Sequence, residues 1–199
     1  MNASRNDAVL HEALWQADGI GLWVKRIVLV VAGVLALAIA AKIKVPMWPV
    51  PITMGTFAVL TIGAAYGPRL GLATMAAYLV VGALGFDVFA GSSAEAFGLT
   101  YMMGGTGGYL LGYVLATLAL GWAARRGMDR SFGGMALAML IGTVLIYVPG
   151  LLWLGQLYGW DQPILAWGLT PFLLGDAIKL ALAALLVPAV WKLVGNARS

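Results

Sequence analysis

The chain has 199 residues, of which 62% are hydrophobic and only 10% are charged, and its formal net charge is +4. An average soluble domain carries about 25% charged residues, so this composition argues against a soluble globular protein. The basic residues flank apolar tracts, which argues against nucleic acid as a partner and is typical of a membrane protein. The chain has no cysteine, so disulfides and thiolate chemistry are excluded.

The segment 1–26 is predicted to be a cytoplasmic or interfacial stretch that precedes the membrane domain. Asp7, Glu12 and Asp18 interrupt its apolar pattern, which is unlike a cleavable signal peptide. Apolar residues recur within it at helical spacing, so it forms either a short interfacial helix or a frayed tail. His11 is interpreted as a solvated surface residue, because a metal site usually needs several ligands.

Six apolar tracts follow, and each can form a transmembrane helix. Such a helix needs about 20 mostly apolar residues to cross about 30 Å of hydrocarbon. The tracts are continuously apolar and do not alternate as barrel strands do. We therefore predict an all-α membrane protein, a bundle of six transmembrane helices within a membrane domain at 27–195. The predicted spans are 27–44, 51–66, 70–86, 105–124, 135–157 and 171–194.

Lysine and arginine cluster on one side of these spans. They precede the first span, separate the second from the third and the fourth from the fifth, and follow the sixth. The connections after the third and fifth spans carry only Asp87, Glu95 and Asp161 as charged residues. Because cytoplasmic loops are rich in lysine and arginine, both termini are predicted to be cytoplasmic in a multi-pass inner-membrane protein. Lys42 and Lys44 are exceptions, which places two cations near the outer mouth.

Small residues recur every four positions on several spans. Ala32, Ala36 and Ala40 form such a stripe on the first span. Small residues at this spacing let helix backbones approach closely in a membrane. Each stripe either packs inside the bundle or faces a partner protein.

The connection between the first and second spans is rich in proline. Pro46, Pro49 and Pro51 cannot continue a helix, and they favour extended conformations in the residues before them. The segment is therefore stiff and non-helical, and it carries Trp48. It forms either a wall or lid of a binding site or a simple turn with an interfacial tryptophan.

Four glycines open the fourth span in the segment 104–109, which reads GGTGGY. This glycine density lets backbone groups approach a ligand closely. The chain contains no G-x-x-x-x-G-K-[ST] pattern, so we do not expect it to bind ATP through a phosphate loop.

Asp176 and Lys179 lie inside the sixth span and are the strongest candidates for function. Thr170 and Pro171 predict the start of that helix, with threonine as the N-cap and proline at the first helical position. The two charged residues then lie about 9 Å and 14 Å along the helix, on one face and in the outer half of the membrane. Such groups usually face a cavity or a partner, and the alternative is an internal ion pair. A carboxylate and an ammonium together suit a small molecule with N–H donors and a carbonyl or carboxylate oxygen.

Five segments within 45–179 resemble the BioY biotin transporters, the substrate-binding subunits of energy-coupling-factor importers. The resemblance implies a six-helix fold and biotin as the transported substrate, with no cofactor. It also implies a membrane coupling protein and ATPase subunits as partners. The segments read VPMWPVPIT at 45–53, GAAYGPRLG at 63–71, YLVVGALGFDVFAG at 78–91, TGGYLLGY at 106–113 and GDAIK at 175–179.

The resemblance also implies which residues act. Ala32, Ala36 and Ala40 resemble the stripe of small residues that meets the coupling protein. The residues expected to bind the substrate lie in the matched motifs. They are Asp176, Lys179, Thr53, Thr106, Gly107 and Tyr109.

The sequence departs from the family pattern in the outer connections. Proline is usual where Asp87 and Gly105 stand, and glutamine is frequent where Gly55 stands. An arginine that is often present in the third connection is absent here. Lys42 or Lys44 could supply the missing cation for the biotin carboxylate.

Two other functions stay open on the sequence alone. A stand-alone ion-coupled transporter of biotin or another small polar vitamin would use Asp176 as its coupling carboxylate. A membrane enzyme is disfavoured, because the sequence offers no metal cluster, catalytic triad or nucleotide motif. We therefore expect a transport protein and not an enzyme.

Overall fold

The computed structural model describes residues 8–15, 17–91 and 96–196, which form a bundle of long helices joined by short elements. Asp7 and Glu95 lie outside these residues. The bundle begins with α1 (Leu10–Leu14), α2 (Ile20–Lys42) and an antiparallel hairpin of β1 (Lys44–Val45) and β2 (Ile52–Thr53). It continues with α3 (Gly55–Ala83), α4 (Gly98–Met102), α5 (Gly107–Arg125), α6 (Phe132–Tyr158), α7 (Ile164–Gly168) and α8 (Leu173–Asn196).

The first long helix begins before the predicted first span. It starts at Ile20, directly after Gly19, whose φ of 58° lies in the left-handed region that favours glycine. Lys25 and Arg26 are therefore part of α2 and do not precede it. The short-helix alternative for the N-terminal segment is confirmed over Leu10–Leu14.

The prediction of a solvated His11 is wrong. His11 Nδ1 lies 3.3 Å from the carbonyl oxygen of Ala65, and its ring packs edge-on against Tyr66 with 6.0 Å between ring centroids. The neighbouring Glu12 accepts two hydrogen bonds from the Arg125 guanidinium, at 2.7 Å and 2.5 Å. These contacts hold α1 against α3 and the end of α5.

The predicted second and third spans are the two halves of α3, which meet at a sharp kink. Gly67 at the kink has φ 73° and ψ 177°, and Pro68 follows it. The halves 55–66 and 68–83 are about 18 Å and 24 Å long at 1.5 Å per residue. Among the described residues, four helical stretches are long and apolar enough to cross a membrane, namely Ile20–Lys42, Gly107–Arg125, Phe132–Tyr158 and Ile164–Val194. The last of these comprises α7, a short turn and most of α8.

Small residues pack the centre of the bundle, where α5 lies between α3 and α6. A Cβ added at Gly63 would lie 3.0 Å from the backbone of Thr117, and one at Gly112 would lie 2.6 Å from Ile146 Cα. Close backbone approach of this kind provides the van der Waals contact that holds helices together in lipid. The small residues of α3 and α5 therefore pack inside the chain.

The start of the last long helix differs in detail from the prediction. Pro171 lies in a 3-10 turn, Thr170–Phe172, that leads into α8. The Thr170 hydroxyl donates to the carbonyl oxygen of Leu165 at 3.1 Å and does not cap the helix. The prediction of a threonine N-cap is therefore wrong, and the turn still directs α8 into the bundle.

Candidate substrate-binding site

A cavity lies at the end of the bundle that carries the hairpin. The space between its lining residues is about 650 Å³ when its opening is included. Five long helices and the segment around β2 form its wall. The wall is strongly aromatic and contains Tyr78, Phe89, Tyr101, Tyr109, Tyr113, Tyr147 and Phe172.

Lys179 is the cation of this wall, and a buried polar network holds it. Its ammonium donates to Asp176 Oδ1 at 2.8 Å, to the Thr53 carbonyl oxygen at 2.7 Å and to Thr56 Oγ1 at 3.0 Å. These three acceptors use all of its donors. The Thr56 hydroxyl in turn donates to Asp176 Oδ1 at 3.3 Å, and the Tyr147 hydroxyl donates to Asp176 Oδ2.

The two charged side chains occupy different positions relative to the cavity. Lys179 lies in its wall, whereas Asp176 lies behind Lys179 and is not among the lining residues. Both side chains are only 9% exposed. Burying an ion pair costs solvation energy unless every donor and acceptor is satisfied. Here the network satisfies the ammonium fully, so a charged group can stay at the cavity surface.

The other predicted residues lie at or next to the cavity. Thr53, Thr106 and Tyr109 line it. Gly107 lies just outside, where an added Cβ would approach a backbone oxygen of α4 to 2.3 Å. The Tyr109 hydroxyl donates to the Gly168 carbonyl oxygen at 2.8 Å. The Thr106 hydroxyl oxygen is buried and makes no close hydrogen bond within the described part of the chain, and the Tyr101 hydroxyl is its neighbour.

An aromatic cluster at the mouth of the cavity is not predicted from the sequence. Phe89 is 1% exposed, stacks on Tyr101 with 5.0 Å between centroids and meets Tyr78 edge-on at 5.3 Å. The Tyr78 hydroxyl donates to the Val88 carbonyl oxygen at 2.9 Å. Gly82 makes room for this ring, because a Cβ there would lie 2.1 Å from it. Phe89 therefore covers the cavity from the connection that follows α3.

Lys42 and Lys44 hold this connection and do not line the cavity. Lys42 forms a salt bridge with Asp87 at 2.5 Å and donates to the Phe89 carbonyl oxygen at 2.8 Å. Lys44 donates to the Ala90 carbonyl oxygen and lines a vestibule outside the cavity. Both cations therefore attach the segment around Phe89 to the end of α2.

The proline-rich segment forms a wall of the cavity. Val50, Pro51 and Thr53 line it. Trp48 does not line the cavity and packs edge-on against Tyr158 and Trp167, with centroid distances of 5.5 Å and 5.0 Å.

On the alanine stripe of α2, Ala32 and Ala36 are exposed and Ala40 is buried.

A helical bundle with four apolar membrane-length helices among the described residues and an aromatic cavity defines a multi-pass membrane protein with a candidate small-molecule site. The sequence profile of the BioY family matches residues 8–196. The chain belongs to the BioY family, which confirms the family predicted from the resemblance.

Individual relatives and a solved structure agree with this assignment. The chain is 34% identical to a probable biotin transporter BioY of Pyrococcus horikoshii over 172 residues, covering 86% of this chain and 98% of the relative. It is 31% identical to the biotin transporter BioY of Thermotoga maritima over 167 residues, covering 83% and 96%. The crystal structure of the S-component for biotin from an ECF-type ABC transporter matches with a TM-score of 0.73 at 23% identity, over 88% of this chain and 95% of that one. The two structures share a fold.

Proposed function

We propose that this protein takes up biotin across the cytoplasmic membrane as the substrate-binding S component of an energy-coupling-factor transporter. The observation that carries the proposal is Lys179, a buried cation in the wall of an aromatic cavity. Relatives of the same family are named biotin transporters, and a biotin S-component shares the fold.

The cavity chemistry suits biotin. Its ureido ring has N–H donors and a carbonyl oxygen, and its aliphatic arm ends in a carboxylate. Lys179 can donate to a biotin oxygen by releasing one of its internal acceptors, and the Thr106 hydroxyl, which makes no close hydrogen bond within the described residues, can take a second polar group. Tyr109 and Thr53 complete the polar wall, while Gly107 lets α4 approach α5 closely.

Asp176 acts in this proposal through Lys179. Its carboxylate holds the ammonium at the cavity wall and also accepts from Tyr147 and Thr56. The Lys179 ammonium at 2.8 Å already balances the charge of this carboxylate, which weighs against the alternative of a stand-alone transporter that uses Asp176 to carry a coupling cation. An S component has no such requirement, because ATPase subunits supply the energy.

The proposal includes a topology and a partner surface. The two halves of α3 cross the membrane as separate spans, which makes six spans with both termini in the cytoplasm, and the cavity then opens outward. The coupling protein meets α2 at the stripe of Ala32, Ala36 and Ala40. The exposure of Ala32 and Ala36 supports this choice.

Calorimetric titration of biotin into the purified protein, with desthiobiotin and other vitamins as competitors, tests the function. Lys179→Ala leaves the Asp176 carboxylate buried without its cation, and Asp176→Asn does the converse. Each change should weaken binding by about 2–5 kcal/mol, or roughly 30- to 5,000-fold. Lys192→Ala, on the exposed side of the same helix, is the matched control and should bind like the parent. A parent protein that does not bind biotin would refute the proposed function, and tight binding by both site variants would refute the site.

A further inference from the structure

A basic groove lies at the opposite end of the bundle from the cavity. The first turns of α2, the kink of α3 and the short helix α1 form its walls. Arg26 in the groove and Ala41 in the cavity wall both lie on α2, and their spacing corresponds to about 22 Å along a helix. The groove has a volume of about 1170 Å³ including its open side. It is therefore separate from the site described above.

The charge of the groove is positive. Arg26, Arg69 and Arg125 line it, and the single carboxylate among its described lining residues, Glu12, is already bound by Arg125 at 2.7 Å and 2.5 Å. Arg26 and Arg69 form no salt bridge with any carboxylate within 8–15, 17–91 and 96–196. The Arg26 guanidinium lies 5.5 Å from the centroid of the Trp23 ring. A contact with the ring face leaves its in-plane N–H donors available to an anion.

The rest of the groove is apolar and open to the outside of the bundle. Ile27 is 61% exposed and Val31 is 53% exposed, and both line the groove beside the arginines. Trp23 at its rim is 65% exposed, as is typical of tryptophan at the level of the lipid headgroups. A soluble anion would use the arginines and leave this apolar wall uncovered. An amphiphile with an anionic head and a hydrocarbon tail matches both parts.

We propose that the groove binds an anionic phospholipid from the leaflet at the α1 end of the bundle. Arg26 and Arg69 donate to the phosphate, for which the planar guanidinium fork is well suited. An acyl chain lies along Ile27 and Val31. Basic pockets between transmembrane helices are the usual sites for such headgroups. The bound lipid fills the space between α2 and α3 at the end where α1 packs.

Native mass spectrometry of the full chain in detergent, with phosphatidylglycerol or phosphatidylcholine added, measures this binding. We expect phosphatidylglycerol to bind more tightly than phosphatidylcholine. Arg26→Gln and Arg69→Gln should each weaken phosphatidylglycerol binding about fivefold, and the double variant about 30-fold. The matched control is Arg126→Gln, which removes the same charge near the same end of the bundle from an arginine 6.0 Å from the centroid of the Trp122 ring. It should stay within about twofold of the parent.

Three results would overturn the proposal. If Arg126→Gln weakened phosphatidylglycerol binding as much as the groove variants do, the binding would depend on general surface charge and not on the groove. Equal binding of both lipids would mean that the groove does not recognise a headgroup. Competition by sn-glycerol 3-phosphate at the same affinity as the lipid would indicate a soluble anion site. Unfolding temperatures check that the variants are folded, and Arg26→Gln, on an exposed helix surface, is sufficient for the test if changes at Arg69 unfold the chain. None of these results depends on biotin binding.

Discussion

At the residue scale, the buried hydroxyl of Thr106 separates a binding role from a packing role. The Tyr101 hydroxyl lies beside it but makes no close hydrogen bond with it, so a polar group of a ligand can supply a better partner. Lys179 differs, because three acceptors within the chain already satisfy it. Lys179 thus exchanges one bond for another on binding, whereas Thr106 gains one.

Thr106→Val tests this difference, because valine has nearly the same shape and lacks the hydroxyl. We expect the unfolding temperature to stay the same or rise, while the affinity for biotin falls by about 0.5–1.5 kcal/mol, or roughly 2- to 12-fold. Thermal unfolding and calorimetry on the same preparations measure the two effects. The control is Thr117→Val, whose fully buried hydroxyl donates to the Tyr113 carbonyl oxygen at 2.7 Å, outside the cavity lining. Unchanged biotin affinity of the Thr106 variant would show that the hydroxyl does not meet the ligand.

The sequence predicted part of this site, for a physical reason. Lys179 is conspicuous because an ionisable residue inside an apolar span is expensive and therefore usually functional. Phe89 and Tyr78 could not be identified, because an aromatic residue in an apolar tract has the same pattern whether it faces lipid, core or ligand. The role of Lys42 as a clamp on the connection around Phe89 depends on tertiary contacts that no local pattern encodes.

At the element scale, helix boundaries are predictable from the sequence where the apolar run is continuous. The spans predicted at 105–124 and 135–157 agree closely with α5 (Gly107–Arg125) and α6 (Phe132–Tyr158), because lipid requires a continuous apolar run. The sequence predicts a first span that begins at residue 27, later than the observed start of α2 at Ile20, because Lys25 and Arg26 interrupt the apolar run. Long basic side chains can extend along a helix toward the interface, so their charge does not end the helix.

The kink of α3 depends on one glycine. Its φ of 73° and ψ of 177° lie in a region that is essentially restricted to glycine, and an added Cβ would also lie 3.2 Å from a methyl group of Val9. Gly67→Ala should therefore lower stability by about 1–3 kcal/mol. Gly133→Ala is the control, because a Cβ there meets nothing within 4 Å and alanine favours the helix. Thermal unfolding in detergent should move in opposite directions for the two variants, and a neutral Gly67→Ala would show that the kink can relax.

The attachment of α1 should depend on pH. Burial lowers the pKa of His11 below its ordinary value of 6.5. Burial alone would raise the pKa of Glu12, but the hydrogen bonds and charge of Arg125 outweigh it and hold that pKa below 4.5. When α1 is detached, His11 has its ordinary pKa and takes up a proton as the pH falls through 6.5. When α1 is attached, the lower pKa keeps His11 neutral at that pH. Protonation therefore favours the detached state, and the attachment of α1 weakens. Protonation of Glu12 adds a further loss below 4.5, where the detached carboxyl takes up its proton first.

Hydrogen exchange of the peptide 8–15, taken relative to the intrinsic rate at each pH, measures this attachment. Protection should be complete near pH 7.5 and decline by pH 5.5. His11→Gln should remove this step and leave the loss at lower pH. Protection that is equal at both pH values in the parent would contradict the argument.

At the scale of the whole molecule, packing among the described residues does not explain the small residues exposed on α2. Ala32 and Ala36 are exposed on α2, whereas the small residues of α3 and α5 pack inside the bundle. Small side chains facing only lipid would serve no packing purpose, so the proposed function assigns this surface to the coupling protein. The assignment separates two properties of the molecule, binding by the isolated chain and uptake by the assembled transporter.

Ala36→Trp distinguishes a partner surface from an internal contact. If Ala36 packed inside the chain, tryptophan would overpack the bundle at a cost of about 1–3 kcal/mol or more. Because Ala36 is exposed, we expect the variant to fold and bind biotin like the parent, while uptake of radiolabelled biotin by cells is lost. Leu35→Trp, at a neighbouring position that is 57% exposed and about 100° around the helix, should leave both properties intact. Binding and uptake are compared at matched expression. Full uptake by Ala36→Trp would show that the stripe does not meet a partner, and parallel loss of expression and binding would show that the alanines pack within the chain.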